Sequence, residues 1–128
     1  MECPLNQCMA NIVDLVSLID RFAIERDWTQ FHSPKNLAAS ISIEASELME
    51  CFQWDDPTAD ELQIDARRLE NVKSEMADVL NYTLRLCSIL DLNPIEIVTK
   101  KLQENAEKYP VRLSKGKSTK YTELEGHE

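Results

Sequence analysis

Apolar residues recur along this chain at intervals of three and four, the spacing of helices with one buried face. From about Cys8 to Arg26 the series is Ile12, Leu15, Val16, Ile19, Phe22 and Ala23, which predicts a first helix over residues 8–26. The polar stretch "RDWTQFHSP" interrupts it. Ser33-Pro34 then reads as an N-cap followed by proline in the first helical turn, opening a second helix over 34–53 with Ile41, Leu48 and Phe52 on its apolar stripe. "DDPTAD" breaks the pattern again. Beyond it Leu69, Val72, Met76, Val79, Leu80, Thr83, Cys87 and Leu90 form one long stripe, predicting a single third helix over 60–91 centred on Met76. Asn93-Pro94 repeats the cap-and-proline signal, and Ile95, Val98, Leu102, Ala106 and Tyr109 mark a fourth helix over 94–109, stopped by Pro110. The polar tail, 114–128, is expected to be mobile, at least at its end.

Four amphipathic helices with short connections specify an all-α fold, an antiparallel helical bundle completed by oligomerisation, in one domain spanning residues 1–128. Composition agrees: 43% hydrophobic residues suit a folded globule, and two glycines are too few for a fold built on tight β-turns.

Charge narrows the partners. With 23 acidic and 14 basic residues the net charge is -9, the wrong sign for gripping a phosphate backbone, so duplex nucleic acid is not an expected partner. An acidic protein can still take a phosphorylated small molecule if a divalent cation lies between its carboxylates and the phosphates. Cys3, Cys8, Cys51 and Cys87 lack paired CxxC spacing and read as free thiols. No run approaches the roughly 18 apolar residues of a membrane span, and the amino terminus has no signal-like core. The expectation is a cytoplasmic protein without membrane contact.

The acidic residues are not scattered evenly. At about 100° of rotation per residue, Glu44 and Glu47 flank the stripe centred on Ile41, whereas Glu50 falls opposite it, toward solvent. On the third predicted helix, Asn71, Glu75, Asp78 and Tyr82 form a second row beside the apolar one. Carboxylates three residues apart on a helix repel unless a cation sits between them. A lone Glu-x-x-Glu commonly marks only a solvated face. Two such pairs on consecutive helices, both bordering the core, suggest an oxygen-only site for Mg²⁺, with Mn²⁺ as a possible substitute.

Lys101, Asn105 and Lys108 share a face of the fourth helix and could meet phosphate or sugar oxygens, or could be an ordinary solvated face. Trp28, Phe31 and His32 before the second helix and Trp54 after it could wall a stacking pocket for a base. The plainer alternative is a core corner, which should claim Phe31 and Phe52 first, with His32 a local hydrogen-bonding residue at a helix start.

The segments "EASELMECFQW", "EMADVLNY" and "KLQENAEKYP" together resemble the MazG-like nucleotide pyrophosphohydrolases of the all-α NTP pyrophosphatase superfamily. "RDWTQFHSPKNLA", "FQW" and "KYTEL" are most similar to the dCTP pyrophosphatase branch, and the likeness spans roughly residues 10–124. The resemblance implies that Glu44, Glu47, Glu75 and Asp78 bind Mg²⁺. It also implies that His32, Trp54, Tyr82 and Trp28 border base and sugar, and that Lys101 and Asn105 approach phosphates. Ile43 stands where the broader family often doubles its first acidic residue, a departure shared by the dCTP-type branch.

The implied reaction is Mg²⁺-dependent hydrolysis of a nucleoside triphosphate between the α and β phosphates, on dNTPs with a dCTP or pyrimidine preference. Glu47 is the candidate proton acceptor, in homodimers or homotetramers whose sites are shared between chains. Two other readings compete. A non-catalytic helical nucleotide-binding or regulatory protein would use its carboxylates only for solubility. A di-iron bundle needs Glu-x-x-His pairs, and neither His32 nor His127 stands three after a glutamate.

Overall fold

The computed structural model describes residues 11–124. Its helices are α1 (Ile12–Glu25), α2 (Pro34–Glu50), α3 (Ala59–Ile64), α4 (Ala66–Ile89), α5 (Pro94–Lys108) and α6 (Val111–Ser114), with 3-10 turns at Thr29–Phe31 and Tyr121–Glu123. No strand occurs among the described residues, so the fold is all-α as expected. The chain divides into two compact units, one ending at Asp91 and the other beginning at Leu92.

Local chemistry sets the helix ends. Asn11, Ser33, Thr58 and Asp65 each accept a hydrogen bond from the backbone amide three residues on, which provides for one of the amides that a helix start leaves without an internal partner. Asn93 accepts from the amides of both Ile95 and Glu96. Pro34 and Pro94 follow their caps as the sequence predicts. α1 closes on Asp27 at φ 56, with its amide donating to the Ile24 carbonyl (3.0 Å) and the Trp28 amide to Ala23 (2.9 Å). This paired capping turn swings Trp28 back along the helix it follows.

In the first unit α1, α2 and α3 all contact α4, most extensively α2. α2 and α4 run antiparallel: His32, just before α2, meets Arg85 near the end of α4, while the Cys51 carbonyl, just after α2, meets Arg68 near the start of α4. Leu37, 1% exposed, and Ala23, Val72, Leu84 and Cys87 form the buried apolar centre. In the second unit the Tyr109 and Tyr121 rings meet edge to face at 6.0 Å, and the Lys108 ammonium lies 4.9 Å from the Tyr121 ring centre.

Several expectations need correction. The long third helix is two helices, because Asp65 turns its backbone out of helical geometry to cap α4. α2 stops at Glu50 and not at Gln53, giving way to a turn. The buried row of α4 is not centred on Met76, which is 48% exposed beside Leu80 at 56%; it runs through Val72, Glu75 and Val79. Phe31 is 60% exposed and not a core residue, whereas Phe52 is half-buried. In the tail, the 3-10 turn Tyr121–Glu123 leads to Leu124, which is buried; the end, where mobility is expected, lies outside the described residues. Residues 8–10, Cys3 and the last residues, including His127, lie outside the described residues.

Candidate metal centre and ligand cavity

The packed face of α2 carries Leu37, Ile41, Glu44 and Leu48 at spacings of four, three and four. Glu44 therefore lies within the stripe, between two apolar neighbours, and Glu75 takes the matching place on α4 between Val72 and Val79. The antiparallel pairing of the two helices brings these carboxylates together. One oxygen from each of Glu44, Glu75 and Asp78 lies within 4.8 Å of the others. Oε2 of Glu44 and Oε2 of Glu75 are buried with no hydrogen-bond partner among the described residues, an arrangement that needs a counter-charge because a buried acceptor without a donor is costly.

Electrostatics record the crowding. The carboxyl of Glu44 is pushed up to about 7, first by the hydrogen bond it shares with Glu47, then by burial and the negative charges of Glu47, Asp78 and Glu75. Glu75 is also raised, chiefly by burial and then by Glu47 and Asp78. Glu47 itself is exposed and stands outside the group of three, though within hydrogen-bonding reach of it. Glu50 is exposed, as helical geometry required. Converging carboxylate oxygens with orphaned acceptors fit a hard divalent cation such as Mg²⁺.

Asp78 also borders a cavity of about 660 Å³ lined by Phe22, Trp28, His32, Tyr82 and Arg85, within the volume range of small-molecule sites. Of the four residues predicted to border base and sugar, Trp28, His32 and Tyr82 therefore share one cavity, continuous with the acidic cluster through Asp78. Trp54 does not line it. It sits 88% exposed on the turn after α2, a turn tied down by Arg68, whose Nη1 donates to Asp55 (2.8 Å) and Nη2 to the Cys51 carbonyl (2.9 Å). In the second unit, Lys101 and Asn105 border a shallow depression on α5 with Ile97, Val98 and Leu102. Lys101 pairs with Glu104 at 3.7 Å, and Lys108 leans on Tyr121.

The motif reading missed a polar network beneath the cavity. Arg85, 5% exposed, donates to Asp20 (2.7 Å), Thr29 (3.1 Å) and His32 (3.1 Å), and Ser88 donates to the other oxygen of Asp20 (2.6 Å). The signal available was a single charge set in the apolar run "TLRLCSIL".

The chain resembles known proteins. The profile of the MazG-like family matches residues 39–124. The chain belongs to the MazG-like family. This MazG-like chain is 38% identical over 112 residues to dCTP pyrophosphatase 1 of Mus musculus and 37% identical to that of Homo sapiens, the match covering 87% of this chain. The chain spans 66% of the length of these curated relatives. A solved pyrophosphatase from Archaeoglobus fulgidus is 44% identical with a TM-score of 0.69, covering 77% of this chain and 92% of that one. No described helix of the MazG-like chain is long and apolar enough to cross a membrane.

Proposed function

We propose that this protein hydrolyses nucleoside triphosphates between the α and β phosphates, releasing a nucleoside monophosphate and pyrophosphate, with a preference among dNTPs for dCTP. The observation that carries the reading is the juxtaposition of converging carboxylates, two of them with orphaned buried oxygens, and an aromatic-walled cavity that shares Asp78 with them. The names of the mammalian and archaeal relatives support the reaction, and those of the mammalian relatives support the base preference.

Glu44, Glu75 and Asp78, with Glu47 beside them, would hold Mg²⁺. When bound, the cation neutralises phosphate charge and acidifies water. The chain's own residues supply the rest. The exposed carboxylate of Glu47, outside the converging three, accepts the proton of the attacking water. Trp28 and Tyr82 offer ring surface to the base and sugar, His32 a hydrogen bond. Trp54 would stack on the base from outside this cavity, and Lys101, Asn105 and Lys108 would offer cationic and amide donors to phosphates. Active assemblies would be homodimers or homotetramers with sites shared between chains.

Incubation with each canonical dNTP and NTP plus Mg²⁺, with product identification, tests the reading. Monophosphate plus pyrophosphate, fastest from dCTP, is expected; diphosphate plus orthophosphate would refute it. Glu47→Ala and Asp78→Ala should abolish pyrophosphate release while circular dichroism stays helical, and Glu50→Ala should change little. Nucleotide binding without turnover would favour the regulatory alternative.

A further inference from the structure

Arg85 spends its guanidinium in three directions. Nη1 donates to Oδ1 of Asp20 at 2.7 Å, Nη2 to Oγ1 of Thr29 at 3.1 Å, and Nε to Nδ1 of His32 at 3.1 Å. The group is buried, and Asp20 is itself held from its second oxygen by Ser88. Four residues from α1, the Thr29 turn and α4 thus fix one donor beneath the imidazole before any ligand arrives.

A guanidinium has donors and no acceptor. The ring nitrogen facing Nε must therefore present a lone pair, and in neutral imidazole the hydrogen then resides on the other nitrogen, Nε2. Protonating Nδ1 would set two N–H groups against each other beside a permanent positive charge. No described residue bonds Nε2, and His32 borders the cavity alongside Trp28 and Tyr82. Trp28 stands edge to face with the imidazole, its ring centre 6.5 Å away.

We infer that Arg85 is a positioning residue that holds His32 in the Nε2–H tautomer, making it a one-way donor to an acceptor oxygen on the base or sugar of the bound nucleotide. A ligand presenting its own N–H at that point would be refused, since two donors would meet. The inference deepens the nucleotide reading and rests on it only for the identity of the ligand.

The chain has two histidines, so imidazole ¹⁵N spectra are readily assigned. In the unmodified protein without nucleotide, His32 should show a bare, pyridine-type Nδ1 and a protonated, pyrrole-type Nε2. A protonated Nδ1 overturns the proposal whether or not any nucleotide is hydrolysed. In kinetics with dCTP and Mg²⁺, His32→Phe should raise KM by about tenfold, the scale of one lost hydrogen bond to a partner left buried, with a smaller change in kcat. His32→Gln, whose amide can place an N–H near the Nε2 position, should keep most of the binding that the Phe variant loses. Arg85→Met should raise KM in the native background and add little on top of His32→Phe; equal penalties in both backgrounds would overturn the coupling. If Arg85→Met does not fold, the spectrum and the His32 pair decide the matter alone. Repeating the His32→Phe comparison with the 3′-deoxy nucleotide narrows the acceptor: a vanished penalty assigns the 3′-hydroxyl oxygen, a persistent one the base carbonyl or the sugar ring oxygen.

Discussion

Glu44 and Glu75 stand where a helix pair would ordinarily seat leucines, each between apolar neighbours on the face that meets the other helix. Their mutual repulsion opposes the packing on either side of them. Above pH 7, where Glu44 is ionised, Glu44→Gln removes one charge and keeps the shape, so in EDTA at about pH 8 it should raise the melting temperature, while Mg²⁺-dependent turnover should fall at least tenfold, since altering a metal's surroundings alone costs that much. Thermal melts and rate assays on the same preparation check both directions. His32 gives a second residue-scale outcome. Burial and then the Arg85 charge hold its pKa below the ordinary 6.5; the Trp28 ring stands beside it, and Asp20 is bonded to the far side of the same guanidinium. Between the unfolded and folded values the unfolded chain binds more protons, so this contribution is fully present above pH 6.5 and is lost as pH falls toward the lowered value. Melts at several pH values should show a decline below pH 6.5 that is smaller in His32→Gln, and an NMR titration should give a His32 midpoint below 6.5.

At the scale of helices, what the sequence made legible follows from how loudly each signal is written. Ser33-Pro34 and Asn93-Pro94 combine a capping side chain with a proline, and both helix starts fall there. Asp65 carries no proline or glycine beside it, and the apolar spacing runs on through it, so the break between α3 and α4 was invisible to periodicity. Asp65→Ala should cost about 1 kcal/mol of stability, the usual worth of such a cap, measurable by urea unfolding. The rotation of the α4 stripe has a different cause. Periodicity assumes that apolar residues face inward, and here the inward face gives places to Glu75 and Asp78 while Met76 and Leu80 remain outside. The acidic spacing picked out Glu44, Glu75 and Asp78, which the fold brings together, and the assumption about the core put them one row too far out. Arg85 and Asp20 escaped because no motif links residues so far apart; only the fold brings them within 2.7 Å.

For the whole molecule, apolar surface is left over. In the first unit Ile43, Met49, Met76 and Leu80 are 57, 69, 48 and 56% exposed, and in the second Val98 and Leu102 are 56 and 63% exposed. These are residues that the proposed homodimers or homotetramers would cover if they form one patch in the assembly. Light scattering should give a mass that is an even multiple of 14.7 kDa; a monomer at micromolar concentration would count against shared sites. The carboxylate pairing also changes how the first unit is held together. A cation seated between Glu44 on α2 and Glu75 and Asp78 on α4 would tie two segments distant in sequence, as a disulfide does, yet the tie would open and close with ion concentration and without redox chemistry. The atoms proposed to serve nucleotide cleavage would then also act as a removable cross-link, and depletion of the ion would loosen the helix pairing that shapes the cavity.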